Sequence, residues 1–254
     1  MSHQPAPTEL QVLSVSGLPE FEPGMSVGGE IAARGELLEG DVVVISQKVV
    51  SKAEGRVVRL AAAIPGAEAR RLAAVLGKEP ALVELILAES REVLRAERGV
   101  LIVETHHGFV CANAGIDSSN LPEAGTVALL PEDPDASARR IRGEIAAASG
   151  VRVATIVADS FGRAWRLGQA EVAIGCAGLT PLDDWRGRAD SAGRELEGTL
   201  IAIADEAAAA ADLVRDKASR VPVAIVRGLD RFVTADDGPG ARVLRRPRDE
   251  DLFR

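Results

Sequence analysis

Four short apolar runs, each rich in β-branched residues, do most to limit how this chain can fold. They occupy residues 42–46, 99–103, 151–158 and 221–226. Short, continuous and β-branched runs read as buried strands rather than helices. Residues 10–16 and 199–204 read as further strands, and 171–178 as either a strand or a buried helical turn. Residues 67–98 have Ala, Leu, Glu and Arg at helical spacing, broken near Gly77 and Pro80 into two helices. A helix ending before Glu39, an acid-led helix over 131–149 and an Ala-rich helix over 206–215 complete the pattern. Residues 17–24, with two prolines, read as an irregular loop. Several strand pairs have connections too short for a helical crossover, so the expected fold is α+β, with a mixed or antiparallel sheet and flanking helices. The chain has no internal repeat and no low-complexity linker. Residues 10–230 are therefore expected to form one domain, in which two subdomains would have to be interleaved, and 231–254 a polar C-terminal tail.

The chain has 254 residues and a formal charge of −8, with no Tyr, five Phe and two Trp. Its core must be built mainly from Val, Leu, Ile and Ala. The acidic balance argues against nucleic acid or an anionic membrane as partner, because both require a concentrated basic face. No apolar run reaches the roughly 18 residues of a membrane helix, and no signal-peptide core is present, so a cytoplasmic protein is expected. Cys111 and Cys176 form no metal-binding spacing and read as buried thiols of a reducing compartment.

Two turns carry the chemistry. One holds Asp117-Ser-Ser-Asn120 after the strand near 99–103, and the other holds Asp159 and Ser160 at the end of strand 151–158. Each offers a carboxylate with small hydroxyl or amide groups, an oxygen set that suits Mg²⁺ or Mn²⁺ better than zinc. Each is equally readable as a local turn in which Asp satisfies backbone donors. Only four lysines occur among 30 basic residues, and two of them, Lys48 and Lys52, follow directly on strand 42–46. They read either as solvated charges or as point charges that grip phosphate. Arg163 and Arg166 flank Trp165 and can either clamp an anion or form surface ion pairs. His106 and His107 lack any metal-binding spacing and read first as structural hydrogen-bonding groups. Neither GxxxxGK[ST] nor a strand-following GxGxxG is present, so a nucleotide would bind without a standard phosphate loop.

Taken in order, five segments make the chain resemble the coenzyme F420:L-glutamate ligase family over residues 12–226. They are Gly17-Leu-Pro-Glu-Phe21, the stretch 46–55, the stretches 104–120 and 158–169 that contain the two turns above, and 221–228. The resemblance implies a GTP-dependent ligase that adds γ-linked glutamate to a deazaflavin coenzyme F420 precursor, as an intertwined homodimer. It implies that Asp117 and Asp159 hold one Mg²⁺ or Mn²⁺, that Ser160 helps hold a second, and that potassium is a further candidate ion. Leu18, Pro19, Glu20, Phe21, Gln47, Lys48, Lys52 and Asn120 would contact GTP. So would the loop Arg215, Asp216, Lys217, Ala218, Ser219, Arg220, Val221 and Pro222. In that loop Asp216 precedes Lys217 where the family's pattern has Gly then Gln or Lys, so a glutamine ligand to the second ion is missing. Some relatives carry an additional C-terminal nitroreductase-like domain, and this chain is expected to lack that activity.

The expected chemistry starts with attack of the substrate's terminal carboxylate on the GTP γ-phosphate. Lys48, Lys52 and Arg166 are the catalytic candidates, and His107 is the candidate base for the glutamate ammonium. Two other readings fit the same residues: a metal-dependent nucleotide hydrolase, and a non-catalytic GTP-binding subunit.

Overall fold

In a computed structural model, residues 9–215 and 218–252 are described. The chain runs β1 (Gln11–Ser14), α1 (Val27–Ala32), β2 (Val42–Ser46), α2 (Gln47–Ala53), β3 (Val57–Arg59), α3 (Ala67–Leu76), α4 (Pro80–Ala88), β4 (Ser90–Glu97) and β5 (Val100–Thr105). It continues β6 (Val110–Ala112), β7 (Thr126–Ala128), α5 (Pro134–Ser149), β8 (Ala154–Arg163), β9 (Arg166–Ala177), β10 (Asp183–Asp184), β11 (Leu200–Ile201), α6 (Ile203–Asp212) and β12 (Val223–Arg227). The fold is α+β with a mixed sheet, as the strand spacing predicts.

The main sheet has the order β1-β12-β2-β8-β9, and only the β2–β8 pair is parallel. β2 shows why its sequence is apolar throughout: Val43 and Ile45 pack on α1 and α5, while Val42 and Val44 pack on the opposite face with α6. A strand covered on both faces has no reason to alternate. A third core lies apart, where Leu72, Leu76, Val83 and Ile86 of α3 and α4 meet Leu101 and Val103 of the antiparallel sheet β4-β5-β6.

The sequence pattern misplaces some boundaries. Residues 90–97, expected to extend a helix, form β4 and pair with β5 from Ser90↔Thr105 to Glu97↔Val100. The hairpin turn is Arg98-Gly99, both at positive φ (53° and 75°), a conformation that reverses the chain tightly and that no helix accommodates. Its Glu, Leu, Arg and Ala are good helix formers, but pairing with β5 outweighs that preference. Residues 199–204 are strand only at Leu200–Ile201, because Ile203 already begins α6 and is buried against the sheet. Residues 171–178, ambiguous in sequence, belong to β9 up to Ala177. Beyond β12 the polar stretch is anchored: Asp135 Oδ1 accepts from the Ala241 N–H at 2.7 Å, and Arg142 donates to Asp237 Oδ1 at 2.8 Å. Among the described residues, no helix is long and apolar enough to cross a membrane.

Candidate functional site

The parallel pairing of β2 and β8 builds the site. Ser46 lies in register with Ala158, so both strands end side by side and their following residues share one edge. β2 passes directly into α2, which presents Lys48 and Lys52 one turn apart, and β8 presents Asp159 and Ser160. The turn at 117–120 is brought over them by a two-bond bridge between Asp117 and Ala128, at 3.2 and 2.8 Å. The result is a cavity of about 960 Å³, lined by both turns, both lysines and the 18–21 loop.

The contacts within it are polar and mostly ionic. Lys48 Nζ donates to Asp117 Oδ2 at 2.5 Å and to Ser119 Oγ at 2.7 Å. Lys52 pairs with Glu20 and donates to the Asn120 carbonyl at 2.9 Å. The two lysines thus tie the 18–21 loop and the 117–120 turn to α2. The local-turn reading of Asp117 is also real, since Asp117 Oδ1 accepts from the Ser119 N–H at 2.7 Å. Its Oδ2 takes part too, accepting from Ser119 Oγ at 2.9 Å as well as from Lys48. Asn120 sits at φ 56°, the left-handed region that Asn tolerates better than most residues.

The carboxylates differ in their protonation. Burial works to raise Asp117, but the hydrogen bonds from Lys48 and Ser119 overcome it and hold the group below the usual carboxylate range. Asp159 has no side-chain hydrogen bond comparable to that from Lys48 among the described residues. Burial, followed by repulsion from Glu171, pushes it up to about 7, against the pull of the Ser160 backbone N–H and of Lys48. Closely placed carboxylates that resist joint ionisation are an environment a divalent cation relieves, and their all-oxygen donors match Mg²⁺ or Mn²⁺. Among the described residues, no three His, Cys, Asp or Glu side chains group closely enough to enclose an ion. The remaining oxygens would have to come from hydroxyls, water and phosphate, which is how magnesium is usually held in phosphoryl-transfer sites.

Of the residues singled out in sequence, Leu18, Pro19, Glu20, Phe21, Lys48, Lys52, Asp117, Asn120, Asp159, Ser160, Arg215, Arg220, Val221 and Pro222 line this one cavity. Gln47 does not: it is 1% exposed, its Oε1 accepting from Ser51 at 2.8 Å while Nε2 has no hydrogen-bond partner among the described residues. Ala218 and Ser219 are exposed and off the wall, and Asp216 and Lys217 fall outside the described residues. Arg163 and Arg166 are exposed at the end of the β8–β9 hairpin and do not line the cavity, although the neighbouring pair Gly162 and Gln169 does. His107 lies elsewhere too, its Nε2 bonded to the Pro131 carbonyl at 2.9 Å and its ring stacked on Phe109. Cys111 and Cys176 are buried and free, and burial pushes both thiols up to about 12.

Sequence reasoning passed over Ser119 and Glu171. Glu171 faces Ser160 across the β8–β9 ladder and accepts from its Oγ at 2.7 Å. Reading 171–178 as the return strand of a hairpin would have brought a carboxylate near Asp159-Ser160, but its place opposite Ser160 is set by the register of the folded ladder.

Comparison with known proteins gives a consistent result. Residues 17–228 match the family described as F420-0:Gamma-glutamyl ligase. The chain is 43% identical over 256 residues to the coenzyme F420:L-glutamate ligase of Methanothermobacter thermautotrophicus, covering 96% of this chain and 99% of that protein. It is 42% identical over 239 residues to the protein of the same name from Methanocaldococcus jannaschii, with 93% and 94% covered. To that of Archaeoglobus fulgidus it is 40% identical over 246 residues, with 96% of each covered.

Proposed function

The chain belongs to the F420-0:gamma-glutamyl ligase family, and from that premise we propose that it is a GTP-dependent ligase. It joins the terminal carboxylate of a deazaflavin coenzyme F420 precursor to the amine of L-glutamate, and then extends the product by γ-linked glutamate. The observation that carries this reading is a single cavity in which Lys48, Lys52, Asp117 and Asp159, from separate segments of the chain, converge.

The site's first task is charge. A carboxylate must approach a triphosphate, and both are anionic. Asp117, Asp159 and Ser160 would hold the divalent cations, whose chemistry there is neutralisation of phosphate charge. Lys48 and Lys52 add fixed positive charge on the same side, and Arg215 and Arg220 stand at the wall where further phosphate oxygens can be bound. The Lys48 ammonium now on Asp117 is within reach of a phosphate that displaces it.

A substrate carboxylate oxygen bonds to the γ-phosphorus and the bond to GDP breaks, giving an acyl phosphate. The glutamate ammonium loses one proton to solvent, its nitrogen bonds to the acyl carbon, the carbon–oxygen bond to phosphate breaks, and the departing phosphate takes up the second proton that the nitrogen sheds. The protein's part is positioning and electrostatics rather than covalent catalysis. We place this chemistry in a homodimer. Trp165 and Leu167, 81% and 99% exposed at the hairpin tip, are apolar surface of the kind a second copy covers.

Incubation with GTP, Mn²⁺, glutamate and the coenzyme precursor, followed by mass spectrometry, tests the reading. A glutamate mass increment with stoichiometric GDP is expected. Phosphate release without acceptor would identify a nucleotide hydrolase instead, and neither product would identify a binding subunit.

A further inference from the structure

Glu171 is a buried carboxylate that the reading above does not use. It is 7% exposed, lies on the cavity wall, and faces Ser160 in the β8–β9 register. Its Oε1 accepts from Ser160 Oγ at 2.7 Å. Its Oε2 lies 3.0 Å from Arg215 Nη2, and the Arg215 side chain is itself only 6% exposed.

That ion pair is incompletely made. Although the charges are close, the angle is poor, and Glu171 Oε2, Arg215 Nε and Arg215 Nη2 have no hydrogen-bond partner among the described residues. Burying a carboxylate and a guanidinium costs several kcal/mol per ion, recovered only when the geometry is good and the remaining donors and lone pairs are satisfied. A structural ion pair of such quality has little to recommend it. A pair held in readiness for other partners explains the same atoms: a cation for Oε2, and phosphate oxygens for the guanidinium N–H groups. Asp159 is close enough for its charge and that of Glu171 to repel, so a cation between them relieves both.

We propose that Glu171 is a direct ligand of a second divalent cation, shared with Ser160 and a nucleotide phosphate oxygen, and that Arg215 is its counter-ion only while that cation is away. The inference rests on the metal–nucleotide reading of the cavity. When the cation enters, the guanidinium is released toward the phosphates, so nucleotide and second cation bind cooperatively.

Equilibrium Mn²⁺ binding, read from the electron paramagnetic resonance signal of free ion in the presence of a non-hydrolysable GTP analogue, tests this without turnover. Two bound ions per chain are expected for the unaltered protein and one for Glu171→Gln, which preserves shape and the Ser160 contact. Glu171→Asp, which restores the charge with shorter reach, is expected to bind two, the second more weakly. Two sites of unchanged affinity in Glu171→Gln overturn the proposal and leave the assignment of Asp117 and Asp159 standing. Loss of the second site in Glu171→Asp as complete as in Glu171→Gln overturns it also, by tracing the effect to packing. A single site in the unaltered protein overturns it, and no site at all overturns the metal reading with it.

Discussion

Lys48 and Asp117 are 69 residues apart in the chain, yet the lysine ammonium donates to Asp117 Oδ2 at 2.5 Å. The bond fastens the 117–120 turn to the first turn of α2 and places a cation and an anion where nucleotide and metal are proposed to take their places.

Lys48→Met should therefore weaken GTP binding and reduce kcat/KM by about 10²-fold or more, the scale of losing one preorganised electrostatic contact. Isothermal titration with a GTP analogue and steady-state rates would check it, with far-ultraviolet circular dichroism unchanged. A rate within threefold of normal would remove Lys48 from the site.

Asp159→Asn removes the recessed carboxylate without changing its shape. Turnover should fall by about 10²–10³-fold, with metal dependence weakened. Because the substitution also removes repulsion with Glu171, the metal-free protein should melt at the same temperature as the unaltered one or higher.

The same carboxyl sets a pH dependence. Its folded-state value of about 7 lies above the ordinary 3.8. Between those values the folded protein holds the proton more tightly than the unfolded chain, so this group's contribution to stability falls as pH rises from about 4 to 7 and is level above. Metal-free thermal melts from pH 5 to 8 should show that decline, and Asp159→Asn should flatten it. Mn²⁺ affinity should rise over the same interval, because the ion must displace the proton.

Gly175 in β9 faces the backbone of α5, where an added Cβ would lie 2.2 Å from the Pro134 carbonyl oxygen. Its φ is not in the left-handed region, so the penalty of Gly175→Ala is steric. Urea unfolding should show a loss of about 1–3 kcal/mol, the usual range for overpacking.

Both thiols are buried and held far from ionisation. A disulfide exchange reagent should label neither at pH 8 in the native protein and both in denaturant, since only the thiolate reacts.

Much of the site was legible before folding because its parts are local. A β-branched run ending in Gln47 and Lys48, and another ending in Asp159 and Ser160, each show their residue types within a few positions. The family's ordered motifs tie those parts together. Arg166 and Gln47 mark the limit of such reading. Proximity to Asp159 in sequence suggested Arg166 as a clamp, but it begins β9 at the exposed end of the β8–β9 hairpin and does not line the cavity. Gln47 adjoins Lys48 yet lies roughly a quarter turn away on α2, where it is buried.

By itself the sequence determined the family, the α+β class, four of the five strands of the main sheet and the oxygen-rich character of both turns. These follow from residue type and short-range periodicity, which are properties of the chain before it folds. Only tertiary structure decided that β2 and β8 run parallel with their ends aligned, that residues 90–97 pair as a strand, and that Glu171 stands opposite Ser160 beside Arg215. Those outcomes depend on register and on long-range pairing. A shift of one residue in a β ladder turns every side chain to the other face, and no local pattern within this chain records which register wins.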